Sequence, residues 1–379
     1  MKVLDVTEFY SERGGGVRSH LTLKQHISRQ LGHEAIILAP GPGNAKEATS
    51  GVVRIPGPAM PYDPSYHLLW RIDKIRAEIR RVQPDVLEIH SPYVAALGCL
   101  AAPRGSFRAR TFFWHSDFID TYREVLEKRA RVPGVGLVVE PLWQWVRRIG
   151  RACGATIASS RVMADKLRAH GVPRVELIPF GVDKDVFRPT ARSEETRARL
   201  LRGAPGPLCI GVGRFAIEKQ WDVVLRAFDL VRAKAPGARL WLFGDGPERA
   251  ALERSAGEHV YFAGFVKDRS ELATTLASAD VLLHGCPFET FGIGVAEAVA
   301  CALPIVVPDR GGAAEQAHHA AARTFRSGDA SDCARAALEL VTASDGERVA
   351  RAAADAARNV PAITDHFRAL YDLYGRLVG

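Results

Sequence analysis

Short apolar runs separated by helix-length segments recur along this 379-residue chain from end to end. No other feature of the sequence restricts its fold as much. Parallel strands need long crossover connections, usually helices, so such a chain forms parallel sheets covered by helices on both faces. In the first half the runs fall at 2–7, 34–39, 85–90, 109–114, 155–159 and 175–179. In the second they fall at 208–213, 239–244, 260–263, 280–284 and 304–308. Between them lie amphipathic segments such as 221–234, where Val224, Leu225, Phe228 and Val231 share one face at helical spacing.

The two series are separated near Ile178-Pro179-Phe180-Gly181-Val182-Asp183, followed by a charged, helix-prone spacer at 191–202 and by Pro205-Gly206-Pro207. Proline and glycine at that point punctuate the chain. The expected fold is therefore α/β, with two Rossmann-like domains over 1–182 and 183–360 facing each other across a cleft. A terminal segment, 361–379, carries a helix at about 363–377 whose Phe367, Tyr371 and Tyr374 need a surface to pack on. In open α/β sheets, ligands bind outside the carboxyl ends of the strands, so those edges are where functional residues are sought.

Composition narrows the class. Hydrophobic residues make up 47% and charged residues 25%, enough for cores of normal size. No run approaches the ~20 apolar residues that cross a bilayer. The beginning Met1-Lys2-Val3-Leu4-Asp5 does not read as a signal peptide. Six cysteines are scattered without a CxxC pair, which suits reduced, buried thiols and a cytoplasmic protein. Residues 1–182 hold 26 Lys and Arg against 17 Asp and Glu, net +9, whereas the remainder is near neutral. That asymmetry suits an anionic ligand or an anionic membrane face, and equally an ordinary solvated basic surface. Nucleic acid is not expected, because no basic run is interleaved with aromatics.

The strongest constellation is Pro287-Phe288-Glu289-Thr290-Phe291-Gly292-Ile293-Gly294-Val295-Ala296-Glu297. It follows a strand and opens a helix, a setting in which backbone N–H groups can hold phosphate. Glu297 falls one turn inside, and its carboxylate can accept both hydroxyls of a ribose diol. Glu289, eight positions earlier, can reach the other end of the same ligand. The plainer alternative makes Glu289 a helix-start acid and Glu297 a solvated residue, but the apolar neighbours of Glu297 argue against solvation.

A second group, Gly211-Val212-Gly213-Arg214-Phe215-Ala216-Ile217-Glu218-Lys219, leaves the first strand of the second series. Arg214 and Lys219 place two cations where a leaving diphosphate needs them, although surface charge alone could explain such a pair. Gly14, Gly15 and Gly16 follow the first strand and permit close backbone approach; a flexible turn is the alternative. His115, in Phe113-Trp114-His115-Ser116-Asp117, sits at a strand's carboxyl end and could bond a sugar hydroxyl or be purely structural. Phe243–Pro247, Phe262–Val266 and Gly311–Glu315 follow other strand ends, and Phe265 and Val266 could set backbone groups against a base. Asp183-Lys184-Asp185 has a D-x-D pattern but lies at the linker, and no histidine spacing suits a metal, so no metal ligand set is expected.

Together these residues resemble the retaining glycosyltransferases of the GT-B fold, specifically glycosyltransferase family 4, over nearly the whole chain. The Glu289/Glu297 pair is that family's most specific mark. The resemblance implies that Glu297 holds the nucleotide ribose, Glu289 contacts the donor sugar, and Arg214 and Lys219 neutralise the diphosphate. It further implies that Gly213, Phe291, Gly292 and Ile293 line the donor site, that Gly15 and Gly16 face the phosphates, and that His115 is the first-domain active-site histidine. The family's last helix crosses back to the first domain. Two positions depart from its pattern: Gln220 replaces the usual glycine after the lysine, and Phe180 the usual asparagine before Gly181.

The implied activity is retaining, metal-independent transfer of a hexose, mannose or glucose, from a GDP- or UDP-sugar to an acceptor glycan or glycolipid, with no further cofactor. The basic stretch 122–151, containing Arg123, Lys128, Arg129, Arg131, Arg147, Arg148 and Arg151 beside Trp143 and Trp145, could rest peripherally on the inner membrane face. A packed helix with solvated arginines is the plainer account. Two other functions fit the same architecture: a sugar-nucleotide 2-epimerase, which needs no acceptor, and a non-catalytic sensor of sugar nucleotides.

Overall fold

The computed structural model describes all residues except 12–14, 43–45, 48–50, 62, 129–134 and 343–345, and omits the side chains of 46–47, 124–128 and 135–138. It divides into two units, Met1–Pro179 with Thr364–Gly379, and Phe180–Ile363.

The first unit holds β1 (Lys2–Val6), β2 (Glu34–Gly41), β3 (Lys46–Glu47), β4 (Val52–Pro56), β5 (Val86–Ile89), β6 (Ala109–Trp114), β7 (Ala155–Ala158) and β8 (Val175–Leu177). They form one sheet in the order β3-β4-β2-β1-β5-β6-β7-β8. All neighbours run parallel except β3 against β4. Val3, Leu4, Val86, Leu87 and Ile89 are fully buried, as strands covered on both faces must be. The expected strands all form. β3 and β4 were not foreseen: Val52-Val53-Arg54-Ile55-Pro56 is short, breaks alternation with Arg54 and ends in proline.

The last helix, Ile363–Val378, belongs to this first unit from Thr364 onward. What anchors it is polar as well as apolar. Lys24 Nζ, wholly buried, donates to Asp5 Oδ1 at 2.5 Å, Glu88 Oε1 at 2.8 Å and the Tyr374 hydroxyl at 2.8 Å. Tyr371 donates to Ser28 Oγ at 2.6 Å, and His366 Nδ1 donates to the Pro179 carbonyl at 2.8 Å. Burial works against the Lys24 charge, but Asp5 and Glu88 outweigh it and raise its pKa.

The second unit holds β9 (Leu208–Val212), β10 (Arg239–Phe243), β11 (Val260–Gly264), β12 (Val281–Leu283), β13 (Ile305–Pro308) and β14 (Ala322–Phe325), in the order β11-β10-β9-β12-β13-β14, all parallel. Only β14 was unforeseen; its polar Arg323 and Thr324 sit at a sheet edge, where apolar pressure is weakest. The helix Trp221–Lys234 forms with the boundaries its periodicity predicts and buries Val224, Leu225, Phe228 and Val231. Ser193 caps the spacer helix Glu194–Leu201 by accepting from the Thr196 N–H at 3.1 Å.

The domain boundaries expected at 182/183 and 360/361 lie three residues from the observed unit boundaries at Pro179/Phe180 and Ile363/Thr364. At these crossings the Val182 N–H donates to the Pro361 carbonyl and the Ile363 N–H to the Val182 carbonyl, both at 2.9 Å. Gly181 is required there, since a Cβ would lie 2.1 Å from the Ala362 carbonyl oxygen. Asp183-Lys184-Asp185 is part of the same turn: Lys184 Nζ donates to the Arg358 and Val360 carbonyls.

Candidate active site

In the second sheet, β9 has β10 on one side and β12 on the other, and the chain order reverses there. Loops leaving the carboxyl ends of β9 and β12 diverge at that point, the topological switch where open α/β sheets bind ligands. These two loops carry 213–220 and 284–292.

They meet through charge. Lys219 Nζ lies 2.5 Å from Glu289 Oε1, and His284 Nε2, at the end of β12, lies 3.4 Å from the same oxygen. Burial opposes ionisation of Glu289, but Lys219 and His284 outweigh it and hold its carboxyl far below the ordinary range. Burial likewise works against the Lys219 charge, and Cys286 and Glu289 more than offset it, raising its pKa. Because burial also pushes the Cys286 thiol up to about 12, the charge facing Lys219 at neutral pH is the Glu289 carboxylate.

Lys219 closes a short 3-10 turn, Ile217–Lys219, and Gln220 after it takes the left-handed conformation, φ 48 and ψ 43. That explains why glycine is the usual residue there: it enters this region without Cβ strain. Gln220 keeps the turn but carries the strain. Behind it the Lys219 and Gln220 carbonyls come so near Gly285 that a Cβ there would sit 2.8 Å from both.

The helix Ile293–Ala300 starts from Gly292 at φ 87 with no side-chain cap, which leaves its first N–H groups to a ligand. Gly294 packs beside Val212 at the end of β9. The preceding loop is clamped from below. Gln316 Nε2 donates to the Phe291 carbonyl at 2.5 Å, and the Gly312 N–H to the Glu289 carbonyl at 2.6 Å. Phe180, the second departure from the family pattern, is buried and meets Phe291 edge-on with ring centres 5.5 Å apart.

Glu297 is 3% exposed, so the solvated alternative fails. Its Oε1 accepts from Arg269 Nη2, whose guanidinium also lies 4.7 Å over the Phe187 ring. Burial raises the Glu297 pKa while Arg269 pulls it back. Arg269 is a partner of Glu297 that the sequence did not reveal; it begins a helix, Arg269–Ser278, distant in sequence. His284 was visible as a strand end but drew no role.

The remaining expected donor residues belong to the same carboxyl edge. Arg214 and Gly213 occupy the β9 loop, where the Arg214 carbonyl accepts the Trp221 indole N–H at 2.9 Å. Phe265 and Val266 follow β11, two strands away, with Phe265 half exposed.

Gly15, Gly16 and His115 belong to the first unit. Gly15, at φ 127, precedes the helix Gly16–Gln30, and Gly14 lies outside the described residues. His115 follows β6, stacks on Phe113 with ring centres 4.2 Å apart, and its Nε2 lies 2.7 Å from His90 Nδ1. Burial first, then His90 and Lys24, hold its pKa well below the usual imidazole value, so it is neutral at physiological pH.

Comparison with known proteins decides the family. Residues 13–186 match the model of Glycosyltransferase Family 4, and residues 206–343 that of Glycosyl transferases group 1. A GDP-mannose-dependent alpha-mannosyltransferase of Mycobacterium tuberculosis is 32% identical over 322 residues, covering 82% of this chain and 80% of that protein. The chain belongs to glycosyltransferase family 4. A GDP-mannose-dependent alpha-(1-6)-phosphatidylinositol dimannoside mannosyltransferase of the same species is 30% identical, over 81% of this chain and 79% of the relative. Among solved structures, sucrose-phosphate synthase from Thermosynechococcus elongatus superposes with a TM-score of 0.79 at 18% identity, over 99% of this chain and 98% of that one. Anabaena HepE with UDP and glucose gives 0.74 at 16%, over 99% and 100%. Both show the fold: this glycosyltransferase has the two Rossmann-like domains of GT-B. All six of its cysteines are buried and none is in a disulfide. Among the described residues, no helix is long and apolar enough to cross a membrane.

Proposed function

We propose that this glycosyltransferase moves mannose from GDP-mannose to an acceptor hydroxyl of a glycan or glycolipid, with retention at the anomeric carbon. The observation that carries the reading is the Lys219–Glu289 pair at the switch point, beside an uncapped helix start. Five of the relatives are GDP-mannose-dependent mannosyltransferases.

In this reading the ribose diol binds Glu297 and the sugar hydroxyls meet Glu289. Lys219, Arg214 and the first N–H groups of Ile293–Ala300 face the diphosphate, aimed in advance at charge that grows as it leaves. No metal is required for that neutralisation. The C1–O bond to phosphate breaks, the acceptor oxygen forms its bond on the same face of the sugar, and the acceptor proton passes to the departing phosphate oxygen. A carboxylate held as low as Glu289 is a poor proton acceptor, which suits a mechanism in which the leaving group takes that proton.

The test is turnover of a panel of GDP-, UDP- and ADP-sugars, followed by NMR of the new glycosidic linkage. An α-linked product from GDP-mannose is expected. A β-linked product, or an altered nucleotide sugar formed without acceptor, overturns the proposal.

A further inference from the structure

Beside the Lys219–Glu289 pair lies a set of groups whose chemistry sugar-nucleotide binding does not use. His284, Cys286 and Glu289 each offer one donor atom, and the three atoms lie within 4.8 Å of one another. His284 and Cys286 leave the end of β12 two residues apart, the spacing that puts side chains on one face of an extended chain. Glu289 returns to them after Pro287 and Phe288. An imidazole nitrogen and a carboxylate oxygen on one tetrahedral zinc ion, each about 2.0 Å from it, stand roughly 3.3 Å apart. His284 Nε2 and Glu289 Oε1 stand 3.4 Å apart. That approach is not an aligned hydrogen bond: the His284 side chain is 7% exposed, and its buried Nε2 has no hydrogen-bond partner among the described residues. A buried nitrogen left so is costly, and a metal ion would satisfy it.

A second trio, Asp5, Glu88 and His90 in the first unit, has donor atoms equally close together. What separates the two is the lysine beside each. Lys24 is wholly buried and bonds both Asp5 and Glu88, so no room opens between those carboxylates. Lys219 bonds one carboxylate, and its side chain is 21% exposed, so it can turn towards solvent and leave Glu289 to another cation. The first trio also lacks a sulfur. Thiolate and imidazole together suit zinc, whereas magnesium and calcium take oxygen ligands.

We propose that His284, Cys286 and Glu289 bind one zinc ion, and that the ion stops transfer by taking Glu289 away from the donor sugar. The Cys286 sulfur and a Glu289 oxygen bond the metal, His284 gives its Nε2 lone pair, and water holds the fourth position. The thiol proton leaves to solvent; a thiol on zinc is deprotonated outright, so its protonated state in the free protein is no obstacle. Two anionic ligands balance the doubly charged ion, as Glu289 balances Lys219 without it, and the buried site stays neutral. Only the arrest of transfer rests on the transferase reading; the binding of zinc does not.

The test is titration of the metal-free full chain with Zn²⁺ by calorimetry, and with Co²⁺ by absorption, both without nucleotide. One equivalent should bind, and Co²⁺ should show the near-ultraviolet charge-transfer band of a thiolate ligand. Cys286→Ala should abolish that band and weaken zinc at least about tenfold. Cys333→Ala, at a buried thiol elsewhere in this unit, should leave both intact. Zinc at the concentration that fills the site should then halt turnover of GDP-mannose, and a chelator should restore it. Cys286→Ala should turn over as the wild type does without zinc and continue in its presence. The absence of a thiolate band, or a zinc affinity unchanged by Cys286→Ala, overturns the proposal. So does tight zinc binding that leaves turnover untouched. Because binding is read without a donor, a Cys286-dependent band in a chain that transfers nothing from any sugar nucleotide would uphold the metal site and refute only the transferase reading.

Discussion

Arg269 holds Glu297: its guanidinium donates to the carboxylate expected to receive the nucleotide ribose, inside a setting only 3% exposed. The arginine supplies the counter-charge that offsets burial of the acid. Removing it raises the Glu297 pKa further, so the neutral form populates as pH falls. Arg269→Met should therefore lose more GDP affinity than the wild type does when the pH falls from 8 to 6. Calorimetry across that range checks it, and a level profile in the variant refutes the role.

With the ribose on Glu297 as proposed, Glu297→Ala removes a charge-assisted pair of hydrogen bonds worth ~1.5–3 kcal/mol. GDP affinity should drop roughly 10–100-fold, and a 2′,3′-dideoxy nucleotide should lose much less on the same substitution.

Lys219 and Glu289 are set for opposite ends of the pH scale. The lowered Glu289 pKa stabilises the fold above its ordinary value of 4.5, and this is lost as pH falls towards the folded value. The raised Lys219 pKa stabilises below 10.5 and is lost at higher pH. The urea-unfolding difference between wild type and Glu289→Gln should thus be constant from pH 5 to 10 and shrink below 4.5. Lys219→Ala should depress kcat more than donor affinity, because charge on the diphosphate grows in the transition state. An equal loss in both would count against that assignment.

Gly312→Ala should impair the donor site without touching a ligand. Its Cβ would lie 2.4 Å from the Thr290 carbonyl oxygen, so the 287–291 loop must shift. Donor affinity should fall at least tenfold with the far-UV circular dichroism unchanged.

Lys24→Met should cost about 3–5 kcal/mol, the scale for breaking a buried ion pair, because Asp5 and Glu88 would lose the ammonium they share. A markedly lower thermal midpoint is expected. Tyr374→Phe, which removes one acceptor and leaves both carboxylates paired, should cost much less.

Much of this was readable from residue patterns because it was local. Parallel strands covered on both faces appear as continuous apolar runs, and Trp221–Lys234 carries its own periodicity. The burial of Glu297 followed from its apolar neighbours within one helix. The missed features depend on contacts between distant segments. β14 and β4 are short edge-side strands with polar members; Arg269 and Glu297 are 28 residues apart; Lys24 and Tyr374 are separated by 350. No local pattern encodes such meetings. Phe180 and Gln220 read as departures from a motif, yet one packs on Phe291 and the other takes the glycine-like dihedral the turn demands.

The paired backbone hydrogen bonds joining Val182 to Pro361 and Ile363 make the second unit a guest with adjacent ends, inserted into a host whose own sequence is interrupted. Domains with neighbouring termini tolerate transplantation. The segment 180–363 is therefore a cassette that can be excised or exchanged through one double seam, whereas the first unit can be made only from two pieces of chain that find each other.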